Sequence, residues 1–239
     1  MLTHEEFVRR LRALPTTYVR THRSNDTGIG KTLEDLLGIA ENNIQGPDTE
    51  ETELKAARRG SSSMLTLFTK SPSPAGVNTT LLRRYGYESP RDGRNILHRT
   101  LSLGVETALR GESGLKLGII RENGSKRVCI QNFDDEIEAF WTRDGLKNAF
   151  LRKYKSGQLY YVIADARGTG PNEEFRFNEA WFLRGFSYPN FLDLLRDGVV
   201  KIDIRIGQYP DGRTHDHGTA FRIPPKELDK CFEEREQLL

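Results

Sequence analysis

The spacing of hydrophobic positions changes several times along this 239-residue chain, and each change marks an element. Phe7, Val8, Leu11 and Leu14 recur at helical spacing behind Thr3-x-x-Glu6, a capping box, so an amphipathic helix is expected first. Leu33, Leu36 and Leu37 predict a second, short helix that carries Glu34 and that Gly38 can end. Residues 51–56 and 63–69 have strand character, and Arg59-Gly60-Ser61 between them suggests a hairpin. Strands at 116–121 and 126–131 flank Asn123-Gly124, a strong hairpin signal. The stretch 79–110 mixes periods and is read as an irregular, basic insertion. A helix is expected at 145–154 and a strand at 158–165, while 179–183 suits either. Pro189 fits the first turn of a helix that runs to Gly198, ahead of the alternating strand 200–206. A strand at 220–223 leads through Pro224-Pro225 to a helix carrying Leu228, Cys231 and Phe232. Trp141 and Trp181 are expected in the core. With neither a regular βαβ rhythm nor an internal repeat, the pattern predicts an α/β (α+β) fold with a central mixed β-sheet flanked by helices.

Composition narrows the class. Charged residues make up 29% and hydrophobic ones 36%, polar but sufficient for a folded core in one domain with two lobes. A catalytic lobe is expected around 1–70 and 116–165, with recognition elements in 71–110 and 205–224. No run approaches the roughly 18 apolar residues of a membrane helix, and the first residues mix acid with base. A soluble, cytoplasmic protein without a membrane partner is the expectation. Cys129 and Cys231 have neither CxxC nor histidine-rich spacing, which argues against disulfides and zinc and predicts two half-buried thiols. The net charge of +2 hides an asymmetry: 55–110 holds ten basic residues against three acids, so that segment is +7 and the remainder −5. Such a segment could form a basic face for a polyanion or a solvated surface.

The candidate chemistry is concentrated in Pro47-Asp48-x4-Glu53-x-Lys55. Residues i and i+2 of a strand share a face, so Glu53 and Lys55 point the same way, with Asp48 at the preceding turn. Two carboxylates beside an ammonium suit Mg²⁺-assisted attack of water on a phosphodiester. Asp48 and Glu53 would be ligands, the Leu54 carbonyl a third, and Lys55 would orient the water or neutralise charge. Glu34 could add a carboxylate or hold the lysine. An isolated Glu-x-Lys is also an ordinary surface pair.

Gly30-Lys31-Thr32 is not a phosphate-binding loop, because Asn25 stands where the motif needs its first glycine. Arg213, His215, Asp216, His217 and Arg222 crowd planar hydrogen-bonding groups into one stretch suited to guanine edges, or to a polar turn. Arg83, Arg84 and Tyr85, with Arg58 and Lys70, are candidates for phosphate or groove contacts.

Taken in order, Gly30-x-x-Leu33-Glu34-x-x-Leu37-Gly38, Glu41-Asn42-Asn43, Pro47-Asp48-x4-Glu53-Leu54-Lys55 and Leu65-Thr66-Leu67-Phe68 resemble the MvaI/BcnI type of restriction endonuclease. Arg84-Tyr85-Gly86-Tyr87, His215-Asp216-His217-Gly218 and Phe221-Arg222-Ile223-Pro224 extend the resemblance nearly end to end. It implies a PD-(D/E)xK fold with two lobes around a DNA cleft, similar to the mismatch-repair nicking enzyme MutH in the helix glutamate and acidic strand. It implies Mg²⁺-dependent cleavage of double-stranded DNA at a CC-N-GG-type site by a monomer that cuts the strands in turn. A cognate DNA methyltransferase is then expected in the same system. By position, Asp48, Glu53 and Lys55 would be catalytic, Glu34 the helix glutamate, and His215, His217 and Arg222 part of a recognition segment. Thr69 departs from a BcnI-like histidine, and His-x-His-Gly favours an A/T centre. The alternatives are a MutH-like nicking enzyme and a non-catalytic, sequence-specific DNA-binding protein.

Overall fold

Thr3 caps the first helix as its sequence demands: its Oγ1 accepts the Glu6 N–H at 3.2 Å, and Phe7 and Leu11 are buried. The computed structural model describes residues 2–39, 47–109, 113–122, 124–216 and 218–239. Glu41-Asn42-Asn43, Arg110, Asn123 and His217 lie outside these. The elements are α1 (His4–Arg12), β1 (Val19–Arg20), α2 (Gly28–Leu37), β2 (Glu53–Arg58), β3 (Leu65–Thr69), α3 (Val77–Tyr85), β4 (Tyr87–Glu88) and β5 (Asn95–Leu101). They continue with β6 (Thr107–Ala108), β7 (Gly114–Glu122), β8 (Ser125–Gln131), β9 (Ile137–Trp141), α4 (Arg143–Lys153), β10 (Leu159–Arg167) and β11 (Glu174–Arg184). Last come α5 (Tyr188–Arg196), β12 (Lys201–Gln208), β13 (Thr214–Asp216), β14 (Ala220–Ile223) and β15 (Glu234–Gln237). Short 3₁₀ turns cover Gly170–Asn172 and Pro225–Cys231. Among the described residues no helix is long and apolar enough to cross a membrane.

The fold is mixed α/β and divides into two compact units. Unit 1 comprises Met1–Leu65, Leu151–Ser187 and Pro225–Leu239. Its sheet runs β1-β11-β10-β2 with β15 also on β11; β2 lies parallel to β10, with Glu53 opposite Leu159 and Lys55 opposite Tyr161. Leu54 and Tyr160 sink into a core formed with Phe7, Leu11, Leu33 and Leu37, and Phe7 stacks on Tyr160 with ring centroids 3.7 Å apart. Anchoring Leu54 on this face puts Glu53 and Lys55 on the other.

Unit 2 comprises Thr66–Phe150 and Tyr188–Pro224. One sheet runs β3-β14-β12-β5-β4 with β13 on β12, and another runs β6-β7-β8-β9. Phe68, Phe150, Phe191 and Phe221 form an aromatic core, with Phe68 stacked on Phe221 at 4.8 Å. The expected grouping of 116–150 with the catalytic segment is not what the packing gives. Strands β7, β8 and β9 pair with one another, and of the expected 116–165 only 151–165 belongs to unit 1.

Several local expectations are also corrected. Residues 51–69 form no hairpin: Gly60 turns the chain at φ +73°, but β2 pairs with β10 and β3 with β14. Parallel pairing needs a long crossover, which no local turn signal reveals. The irregular insertion is regular, since α3 buries Val77, Leu81, Leu82 and Tyr85, and β5 buries Leu97 and Leu101. The C-terminal helix is a 3₁₀ turn, and the tail then joins β11 as β15. The ambiguous 179–183 lies in β11, and β9 was not signalled. Trp181 is half-buried, donating from Nε1 to Glu179 at 2.6 Å with the Arg235 guanidinium 4.0 Å above its ring. Both cysteines are fully buried.

Candidate active site

The segment entering β2 is folded by its own polar groups. Thr49 Oγ1 donates to the Thr52 carbonyl at 2.9 Å and accepts the Thr52 N–H at 3.1 Å, while Asp48 Oδ2 accepts the Leu54 N–H at 2.8 Å. This loop sets Asp48 beside Glu53. The Glu53 side chain has no solvent exposure; its Oε1 accepts from Lys55 Nζ at 2.5 Å. Its Oε2 accepts no hydrogen bond among the described residues, although Lys153 Nζ stands 3.2 Å away. Burial pushes the Glu53 carboxyl above the ordinary glutamate range and the Asp48 charge pushes the same way, outweighing Lys55 and Lys153. Burial pulls the Lys55 ammonium down, but Glu53, Asp48 and Glu34 together carry it above the usual lysine value.

The carboxylate set is therefore under-satisfied: one buried oxygen lacks a hydrogen bond, and a second acid raises the cost of its charge. A divalent cation between Asp48 and Glu53 would relieve both. Among the described residues no group of three His, Cys, Asp or Glu side chains could hold a metal. A backbone carbonyl such as that of Leu54 and solvent would have to complete the shell, as suits Mg²⁺.

A second acid-x-base pair lies on β12. Ile202, Ile204 and Ile206 are buried, and on the opposite face Asp203, 1% exposed, alternates with Arg205. Asp203 Oδ1 accepts from Thr100 Oγ1 at 2.8 Å; Oδ2 accepts from Arg205 Nε at 2.9 Å and Arg222 Nη1 at 2.7 Å. Burial works against this charge, yet the three hydrogen bonds outweigh it and hold the carboxyl below its ordinary value. One carboxylate thus aligns guanidinium groups from two adjacent strands.

The MvaI/BcnI restriction endonuclease family model matches residues 9–232. The chain belongs to this family. It is 31% identical to restriction endonuclease MvaI in complex with its cognate DNA substrate, covering 100% of both chains with a TM-score of 0.84. Against MvaI in the absence of DNA the identity is again 31%, the coverage 100% of this chain and 99% of that one, and the TM-score 0.58. Comparison with curated proteins gives no match. As an MvaI/BcnI family member the protein is a type II restriction endonuclease, a site-specific deoxyribonuclease.

In this MvaI/BcnI-family nuclease, Asp48, Glu53 and Lys55 converge, and half-buried Glu34 acts on Lys55 through its charge. The expected DNA-contacting residues are more dispersed. Arg58 grips Glu173 with two bonds of 2.6 and 2.7 Å and also donates to the Asp26 carbonyl. Tyr85 is buried, its hydroxyl donating to Glu138 at 2.5 Å, so it is an internal prop rather than a groove contact; Arg84 binds the same carboxylate. Arg83 is exposed, and the Lys70 carbonyl accepts the Trp141 indole N–H at 2.9 Å. Arg213 extends into solvent beside Asp211. His215 packs edge-on to Tyr209. Asp216 is a clasp, accepting from Ser71, Asn78 and the Gly218 N–H. Gly218, at φ +90°, passes close to Thr69, the position that departs from the BcnI-like pattern.

The basic segment is less bare than its +7 suggests, because Arg58, Arg59, Arg84 and Arg94 all pair with acids. Asp203, Arg205 and Lys153 were missed from sequence. Asp203-x-Arg205 repeats the Glu53-x-Lys55 spacing within a run of isoleucines, and that spacing is the sequence signal for the pair. Nothing local marks Lys153.

Proposed function

We propose that the enzyme hydrolyses double-stranded DNA in a Mg²⁺-dependent reaction at a short CC-N-GG-type site with a restricted central pair, an A/T pair being favoured. Acting as a monomer, it cuts the two strands one after the other. Asp48, Glu53 and the Leu54 carbonyl would hold a divalent metal, which when bound would supply activation of the attacking water and neutralisation of charge at the phosphate. Lys55 orients that water, and Glu34 holds Lys55 through its charge. Unit 1 carries this chemistry. Unit 2 reads the DNA through Arg222, Arg205, His215, His217 and Arg213, with Lys70, Arg83 and Arg84 toward phosphates. The reading rests above all on the under-satisfied Glu53–Asp48 pair beside Lys55.

Plasmid DNA carrying all CC-N-GG variants, incubated with the protein and Mg²⁺, should give open circles and then discrete linear fragments whose ends map to one site. Asp48→Ala and Lys55→Ala should each reduce cleavage by about a hundredfold or more. Full activity in either variant removes the assigned site. Open circles that never become linear, even at high enzyme, replace this reading with a MutH-like nicking activity.

A further inference from the structure

Glu53 has one lysine for each carboxylate oxygen, and the two pairs differ. Lys55, two residues along the same strand, meets Oε1 in a short hydrogen bond of 2.5 Å. Lys153 arrives from the last turn of α4 and stands 3.2 Å from Oε2, an ion pair without a hydrogen bond to that oxygen. Lys55 is fixed by the strand that carries both partners. Lys153, 27% exposed, approaches on a flexible four-carbon stem and can withdraw its charge without moving backbone.

Resting on the reading of Glu53 as a metal ligand, we propose that Lys153 is a positioning residue of the cleavage site. Its ammonium holds the Glu53 oxygen that the divalent cation takes, and it is displaced when the cation arrives. A fully buried carboxylate next to a second one cannot stay charged without a nearby cation, and Lys153 supplies that charge on the Oε2 side. The ammonium and a divalent cation cannot share one oxygen at close range, because like charges a few ångströms apart in a poorly screened site repel strongly. Lys153 therefore keeps Glu53 in place for the metal and sets a threshold for metal entry. Lys55 stays on Oε1 throughout.

This assignment predicts an increase in metal affinity on removing a positive charge, which a merely structural lysine would not give. Mn²⁺ is titrated calorimetrically into the full-length protein without DNA, using wild type, Lys153→Met, Lys153→Arg and Asp48→Ala. Lys153→Met should bind Mn²⁺ on the order of tenfold more tightly than wild type. Its cleavage should reach half-maximum at a lower Mg²⁺ concentration. Lys153→Arg keeps the charge and should restore wild-type affinity. Affinity in Lys153→Met no higher than in wild type, with binding lost in Asp48→Ala, overturns the role of Lys153 and leaves the metal site standing. Wild-type Mn²⁺ affinity in Asp48→Ala overturns the metal site itself and the proposal with it. Should Lys153→Met lose its native circular dichroism, Lys153→Gln provides the same comparison.

Discussion

Strands β2 and β12 each carry an acid-x-base pair with a buried acid and a partly exposed base, yet the two pairs are poised oppositely. Glu53 on β2 has one short hydrogen bond, a second lysine that pairs with its other oxygen without a hydrogen bond, and a neighbouring carboxylate, and its proton affinity is raised. Asp203 on β12 has three hydrogen bonds and two guanidinium partners, and its proton affinity is lowered. The same spacing thus serves two ends. An acid with one oxygen lacking a hydrogen bond and a second carboxylate beside it carries its charge at a cost, whereas one fully supplied is a rigid mount for the bases it grips. Satisfaction, rather than burial or spacing, separates the two carboxylates.

Glu53→Gln tests the first half of this contrast with the largest effect, a loss of cleavage of about a thousandfold. The same variant has a signature in stability. A carboxyl whose folded pKa is raised contributes stability that is present below its ordinary value of 4.5 and lost as pH rises through the folded value. Wild type should therefore lose ground as pH rises above 4.5 while Glu53→Gln does not, so the Tm of the variant minus that of wild type should increase with pH. A flat difference means that the Glu53 carboxyl is not raised, and one that falls as pH rises means that it is as well satisfied as Asp203.

Asp203→Asn is the mirror experiment, with a smaller effect. A lowered pKa contributes stability above the ordinary aspartate value of 3.8 that is lost as pH falls through the folded value. The variant should be less stable by about 2 kcal/mol at neutral pH, less than for a fully buried pair because Arg205 reaches solvent. In pH-dependent thermal melts its deficit should shrink on acidification, a trend opposite to that of the buried glutamate. Equal Tm values at neutral pH would break the comparison.

The smallest effect is expected at Arg58, which the basic run of the sequence nominated for DNA and the fold assigns to Glu173. Arg58→Ala should cost about 1 kcal/mol or less in thermal unfolding. The salt slope of DNA binding should not change, since a guanidinium committed to a carboxylate releases few counterions from phosphate. A slope lowered by about one in a binding titration restores it to the DNA-contacting set.

The convergence of the candidate segment was legible because its parts are neighbours in sequence. Asp48, Glu53 and Lys55 need only a turn and the period of a strand to converge. Hydrophobic period likewise located α1, α2, α5, β12 and the β7–β8 hairpin. It does not reveal α3 and β5, where arginines dilute the apolar stripe, nor the pairing around Gly60, where a turn does not fix which strands its flanks join. Tyr85 illustrates the converse error, since a tyrosine among arginines looks like a groove contact until Glu138 is found waiting for its hydroxyl inside the fold.

The sequence alone determined that Glu53 and Lys55 share a face, that a carboxylate precedes them at a turn, and, through the order of its motifs, which nuclease family this is. Those facts depend on local geometry and on residue identity. Tertiary structure decided what each charge experiences: that Lys153 reaches Glu53 from the end of α4, that Asp203 gathers donors from β5, β12 and β14, and that much of the basic segment is already paired. A charge interacts through space, with partners that pairing and packing bring from far along the chain. For this reason the family and the candidate residues could be named from the sequence while the electrostatic poise of those residues could not.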